Sequence, residues 1–171
     1  MLQLEVAIEL TVPDNTAFTV LVALRQLGYA ALARVERADV LRLTLDQPAE
    51  SADEIVEALK RAEVIFNPNK HKLIWRGAGS SDPADPNWEA IVSDRDDDNS
   101  RLAHLLGDHF GIRDLKALER ATAWRLFDEH GSAPKERLEW ACRELLANAI
   151  SQRYEVRAMN GPKGPLPQSL K

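Results

Sequence analysis

Hydrophobic positions alternate at the start of the chain. Leu2, Leu4, Val6, Ile8 and Leu10 share one side of residues 2–11, and Gln3, Glu5, Ala7, Glu9 and Thr11 share the other. That period of two marks a half-buried strand. Val12-Pro13-Asp14-Asn15 breaks the alternation and offers Asp14 or Asn15 as a helix cap. Ala17, Val20, Leu21, Leu24 and Leu27 then recur at helical spacing, and Gly28 ends that helix. Leu32 and Val35 begin a second strand, Ala38-Asp39 suggests a tight turn, and Leu41, Leu43 and Leu45 alternate with Arg42, Thr44 and Asp46 as a third strand. Ser51, with Glu54 three residues on, reads as a capping box for a helix striped by Ile55, Ala58, Leu59 and Ala62. Asn67-Pro68 stops it, and His71, Leu73 and Trp75 against Lys72, Ile74 and Arg76 predict a short fourth strand.

The pattern then pauses and repeats. Residues 78–87 hold small, turn-forming and Pro residues without periodicity, which reads as a linker. Trp88, Ala90 and Val92 predict a strand, and Asp96 to Asn99 offer caps for a helix striped by Leu102, Leu105, Leu106 and Phe110, ended by Gly111. Leu115 and Leu118, a turn at Ala121-Thr122, and Trp124 and Leu126 predict two more strands. Gly131-Ser132-Ala133-Pro134 opens a helix with an apolar face of Leu138, Ala141, Cys142, Leu145, Leu146 and Ala149, and Tyr154, Val156 and Ala158 close with a strand. Residues 160–171 carry no core-forming pattern and read as a disordered tail.

Residue identities support a tandem duplication. At a spacing of 83, residues 28–43 align without gaps to 111–126 with Gly28/Gly111, Leu32/Leu115, Glu36/Glu119, Arg37/Arg120, Ala38/Ala121, Arg42/Arg125 and Leu43/Leu126 identical. Average composition would give about one such identity. The expected organisation is therefore α+β, with two ferredoxin-like β-α-β-β-α-β units, 1–77 and 88–159, joined by the linker 78–87 and followed by the tail 160–171. Each unit is small enough that its own core is marginal, so the two are expected to bury each other as a pseudo-dimer. Trp75 and Trp88, which flank the linker, are the expected side chains at that interface.

Composition adjusts this picture in a few places. The chain has 171 residues, 44% hydrophobic and 29% charged, with 22 Lys and Arg against 27 Asp and Glu and a formal charge of -5. A mildly acidic chain argues against nucleic acid or an anionic membrane as partner. No apolar stretch approaches the ~20 residues of a membrane helix, and the N-terminus lacks a basic signal-peptide region. The single cysteine forms no internal disulfide, and a cytoplasmic location is expected.

Candidate chemistry is sparse. Glu5 and Glu9 on the first strand face Arg42 and Thr44 on the third, which predicts Glu–Arg pairs across a polar sheet face and disfavours RNA recognition. Asp94-Arg95-Asp96-Asp97-Asp98-Asn99 begins like a calcium loop, but positions six and twelve hold Asn99 and Leu105 instead of Gly and Glu. His104 and Asp108 stand four apart on one helix, beside His109, with no further metal ligands evident. Cys142 lies on an apolar stripe and reads as a buried thiol. Gly77-Ala78-Gly79-Ser80-Ser81 lacks the Gly-Lys-Ser/Thr of a phosphate loop. The expected site inventory is no catalytic residue, no bound metal and no cofactor, and so a protein that acts by binding.

Some segments resemble a known family. Leu138-Glu-Trp-Ala-Cys-Arg-Glu-Leu-Leu-Ala-Asn148 followed by Tyr154-Glu155-Val156 resembles the C-terminal signature of the PurS family, the small subunits of phosphoribosylformylglycinamidine synthase in purine biosynthesis. Ala23-Leu-Arg-Gln-Leu-Gly-Tyr29, Val35-Glu-Arg-Ala-Asp-Val-Leu-Arg-Leu-Thr-Leu45 and Asn67-Pro68 resemble the same family in the first half. The chain departs from it in its loops: Val12 to Thr16 has no Gly, Ala38-Asp39 and Ala121-Thr122 replace Gly-Lys, and Asn148-Ala149 replaces Asn-Pro. The resemblance implies a ligase subunit that is non-catalytic alone, bridges the synthase and glutaminase subunits, and has some capacity for self-association. An alternative expectation is a regulatory module that binds a small metabolite between the two halves.

Overall fold

The computed structural model describes residues 1–75 and 87–159, so the linker up to residue 86, the Gly77–Ser81 segment and the tail 160–171 lie outside the described residues. The strand and helix patterns above give β1 (Leu2–Leu10), α1 (Asn15–Gln26), β2 (Leu32–Leu45), α2 (Ala52–Arg61), β3 (His71–Trp75), β4 (Trp88–Asp94), α3 (Ser100–Phe110), β5 (Leu115–Asp128), β6 (Gly131–Ser132), α4 (Lys135–Ala141) and β7 (Gln152–Ala158). The protein is α+β, with four α-helices among the described residues and one antiparallel sheet. The strand path is β3-β1-β2-β5-β4-β7, with the two-residue β6 paired to β5 off that path. The path is palindromic: an outer strand, a first strand and a long strand, then the same in reverse. At its centre Asp39 of β2 lies opposite Thr122 of β5, and 122 minus 39 is 83, the spacing of the sequence repeat.

The two expected tight turns are absent, and this reshapes the fold. Ala38-Asp39 lies inside β2 and Ala121-Thr122 inside β5, each strand running 14 residues without a break. A two-residue hairpin needs residues that accept positive φ, usually Gly or Asn, and neither Ala-Asp nor Ala-Thr supplies them. The straight strand satisfies both residues instead. Ala38 pairs Glu9 on one side and Ala123 on the other, while Asp39 pairs Ile8 and Thr122.

Straightening the strands redistributes the core. Leu4, Val6 and Ile8 of β1 and Leu41, Leu43 and Leu45 of β2 pack with Ile55 and Leu59 of α2, but also with Leu106 of α3, Leu115 and Leu118 from the second half. The other cluster joins Ala90 and Val92 of β4, Trp124 and Leu126 of β5 and Leu138 of α4 to Ala17 and Leu24 of α1, Leu32 and Val35 from the first half. Each core is thus completed by one helix and half a long strand from the opposite half. Fully burying each such leucine contributes about 1.5–3 kcal/mol, so the two halves are held together through both cores.

Local signals account for several boundaries. The Asp14 carboxylate accepts the Thr16 and Ala17 N–H groups at 3.0 and 3.1 Å and starts α1. Gly111, at φ 72°, caps α3 in the left-handed conformation. Ser51 caps nothing, because Ala49–Ser51 already form a 3-10 turn and Ser51 itself has helical torsions. After α4 the chain widens into a π-helical turn, Cys142–Leu146, closed by the Ala147 N–H on the Cys142 carbonyl at 3.1 Å. The wider turn advances each residue by a smaller angle. Leu146 therefore swings into the core, while Leu145, expected on the apolar stripe, is left 40% exposed.

The tryptophans also sit differently from expectation. Trp75 pairs with Val6 at the β3 edge and is exposed, and Trp88 pairs with Ala158 on β7 and packs into the second cluster. The halves meet through the β2–β5 ladder and through both cores, so Trp88 packs against a cluster drawn from both halves while Trp75 stays at the sheet edge.

Candidate functional site

All four helices cover one face of the sheet, in two pairs, α2 with α3 and α1 with α4. Between the pairs one row of residues crosses the sheet, Leu73, Ile8, Asp39, Thr122, Val92 and Tyr154; Ile8 and Val92 are buried at the margins of the two cores, and Asp39 and Thr122 between them stay accessible. Over this row lies a cleft of about 530 Å³, within the size range of small-molecule sites. Its polar lining includes Asp39, Glu63, His71, Asp94, Asp97, Arg120 and Thr122.

Strand parity brings Asp39, His71, Asp94, Arg120 and Thr122 to the cleft, and Asp97 reaches it from the loop before α3. Arg37 and Asp39 share the inward side of β2 with Leu41, Leu43 and Leu45, and Arg120 and Thr122 share that of β5 with Trp124 and Leu126. At the cleft margin Arg37 binds Asp14 through two hydrogen bonds, 2.9 and 3.2 Å, so the residue that caps α1 also ties that helix to the sheet. Burial alone would raise the Asp14 carboxyl; the Arg37 hydrogen bonds and charge and the α1 N–H groups outweigh it and hold it below its ordinary value. His71 accepts the Asn67 N–H on Nδ1 at 2.9 Å, which leaves Nε2 as the protonated nitrogen and a donor. Asp94 accepts from Gln152 Nε2 at 3.0 Å and Asp97 from Asn99 Nδ2 at 2.6 Å.

Among the described residues the opposite face carries no helix. Its centre is a patch of small apolar residues, Ala7, Ala38, Val40, Ile91 and Ala123. Charged side chains surround it. Arg42 bonds Glu5 at 2.9 Å and Glu155 at 2.8 Å, Arg157 bonds both Glu5 and Glu89, and Arg125 bonds Glu9. The Glu5–Arg42 pair is the cross-strand contact the sequence predicts. Glu89 is fully buried, which makes Arg157, 3.1 Å away, its electrostatic complement. Burial would raise the Glu5 carboxyl, but Arg157 and then Arg42 hold it below its ordinary value.

The residues singled out in sequence scatter. Asp94 and Asp97, from the calcium-like run, line the cleft, whereas Asp98 accepts the Ser100 N–H at 3.0 Å in the turn that leads into α3. His104 Nε2 and the Asp108 carboxylate lie 2.8 Å apart at i,i+4 on the exposed side of α3, away from the cleft. Cys142 is buried among Leu138, Ala141 and Leu146, and burial pushes its thiol up to about 12. Among the described residues no three His, Cys, Asp or Glu side chains cluster to hold a metal ion. No helix among them is long and apolar enough to cross a membrane. Sequence reasoning missed His71, Arg120, Asp39 and Thr122 as site residues, the last two because they read as turns. The available signal was polarity at an inward position of an otherwise apolar strand.

No protein-family model matches the chain, and no curated protein matches it.

Proposed function

We propose that this chain is a non-catalytic PurS-like subunit of the phosphoribosylformylglycinamidine synthase complex, in which two fused units stand in for a homodimer and bridge the synthase and glutaminase subunits. One observation carries the reading: each core is completed by a helix and a half-strand from the other half. In these terms the two units are ferredoxin-like with their middle hairpins opened. The first half of each long strand, with its preceding helix, crosses to the partner unit in an exchange of identical elements. Strand order supports this, since β3, β1, the end of β2 and the start of β5 follow one another as strands four, one, three and two of a ferredoxin-like sheet would. The PurS-like segments at both helix ends add the family resemblance.

The test is affinity capture of the tagged protein from its own cells, lysed gently with glutamine and nucleotide present. Stoichiometric recovery of a large synthase and a glutaminase is expected. Recovery of neither overturns the bridging role.

The cleft favours a second reading, a regulatory module that binds a small metabolite between the two units. It predicts a ligand-dependent rise in stability without large partners, about 2.7 kcal/mol at a hundredfold excess over Kd. A melting-point screen of metabolites that finds no stabiliser removes it.

A further inference from the structure

Arg37 and Arg120 occupy equivalent places in the repeat, 83 residues apart; Arg120 lines the central cleft, and Arg37 lines a smaller neighbouring one that shares Ile8, Asp39 and His71 with it. Their environments differ. Arg37 is closed off by the two hydrogen bonds to Asp14. The residue 83 positions beyond Asp14 is Asp97, which lines the same cleft as Arg120 but is engaged by Asn99. Among the described residues the Arg120 guanidinium has no hydrogen-bond or ion-pair partner. The Asp39 side chain, diagonal to Arg120 across the seam, has none either. A cation and an anion thus face one cleft without closing on each other.

We infer that this cleft binds a basic α-amino acid, with Arg120 gripping its carboxylate and Asp39 its α-ammonium. The inference rests on the small-metabolite reading above. A free guanidinium offers a carboxylate two parallel N–H donors. The remaining charge of the lining selects the rest of the ligand. Asp39, Glu63, Asp94 and Asp97 set four carboxylates against the one free arginine, so the fitting ligand carries one anionic group and more than one cationic group. Asp94 and Asp97 are held by the neutral amides of Gln152 and Asn99 and keep their negative charge for a cationic side chain. Ile8 and Val92 flank the two polar residues on the floor and suit an aliphatic stem. The Thr122 hydroxyl and the His71 Nε2–H supply neutral hydrogen bonds beside them.

Isothermal titration calorimetry of the full chain at low ionic strength tests this, with L-arginine, L-lysine and agmatine, the arginine analogue without a carboxylate. Saturable binding of L-arginine or L-lysine is expected. Arg120→Gln should weaken L-arginine by about tenfold or more, as expected for loss of a bidentate charged contact, and leave agmatine unchanged. Asp39→Asn should weaken L-arginine, and because both side chains project into the cleft, both variants should melt as the parent does. No binding of either amino acid, or undiminished L-arginine binding by Arg120→Gln, overturns the inference. L-glutamate and inorganic phosphate are titrated alongside. If one of these binds and Arg120→Gln abolishes it, the ligand class is wrong while the metabolite cleft stands. If none of the compounds binds and a wider metabolite screen also shows no stabiliser, the metabolite reading falls with it.

Discussion

Val6, Leu43 and Leu118 lie under helices on one face of the sheet, while Glu5, Arg42 and Glu119 project from the same strands on the other. The covered face is stabilised by apolar area removed from water, and its side chains are large and branched. The open face places Ala7, Ala38 and Ala123 at its centre and shields them with long paired side chains. These stems cover apolar surface while their charged ends pair with one another. The two cores under the helices therefore tolerate no charge, which that face carries only around the cleft, whereas the open face depends on charges staying matched.

The largest break in this contrast comes from putting a charge on the wrong face. Leu59 is fully buried in the first cluster, and Leu59→Asp is expected to cost about 5 kcal/mol or more, enough to unfold the chain. A circular-dichroism melt resembling the parent's would show that α2 does not pack through this face. On the open face the corresponding test removes a charge. Arg157→Met leaves buried Glu89 without that arginine and should destabilise by about 3 kcal/mol in urea unfolding. A loss near zero would show that the ion network shields nothing.

Acid should loosen the open face and the α1 anchor together. Glu5 and Asp14 are both held below their ordinary values of 4.5 and 3.8. Each binds fewer protons folded than unfolded, so its contribution is fully present above those values and is lost as pH falls through the depressed folded values. Stability measured from pH 6 downward should fall in that acid range, and Glu5→Gln should flatten the decline. An identical slope in the variant would remove Glu5 from the account.

Smaller effects sharpen the comparison at its edges. Asp14→Ala removes the α1 cap and the Arg37 clamp, a loss of about 1–2 kcal/mol. Leu145→Asp should cost within about 0.5 kcal/mol, because the π-helical turn has already moved that side chain outward. Leu146→Asp, its neighbour in the core, should cost several times more in the same melt. Equal effects at the two positions would argue for a regular helix through Cys142–Leu146.

Much of the fold was legible along the chain. Period-two alternation gave β1 and the halves of β2 and β5, and helical spacing gave α1 to α4, because local burial patterns are written into local sequence. The Glu5–Arg42 pairing followed from strand parity alone. The candidate site was mostly not legible. Asp39 and Thr122 read as turn residues, and nothing local said that they would face each other on the floor of a cleft.

The sequence by itself determined the repeated pattern of identities at a spacing of 83, the apolar face of each strand and the mildly acidic, charge-rich composition. Only the tertiary structure decided whether each middle strand pair would fold back or run straight. That choice sets a local turn, unfavourable for Ala-Asp and Ala-Thr, against a ladder formed with residues about 80 positions away. Pairing at such separation depends on which half supplies the partner strand, and the same local pattern is compatible with either answer. The helices that complete the opposite half's core, the cleft between the helix pairs and, among the described residues, the unpaired Arg120 all follow from that one nonlocal choice.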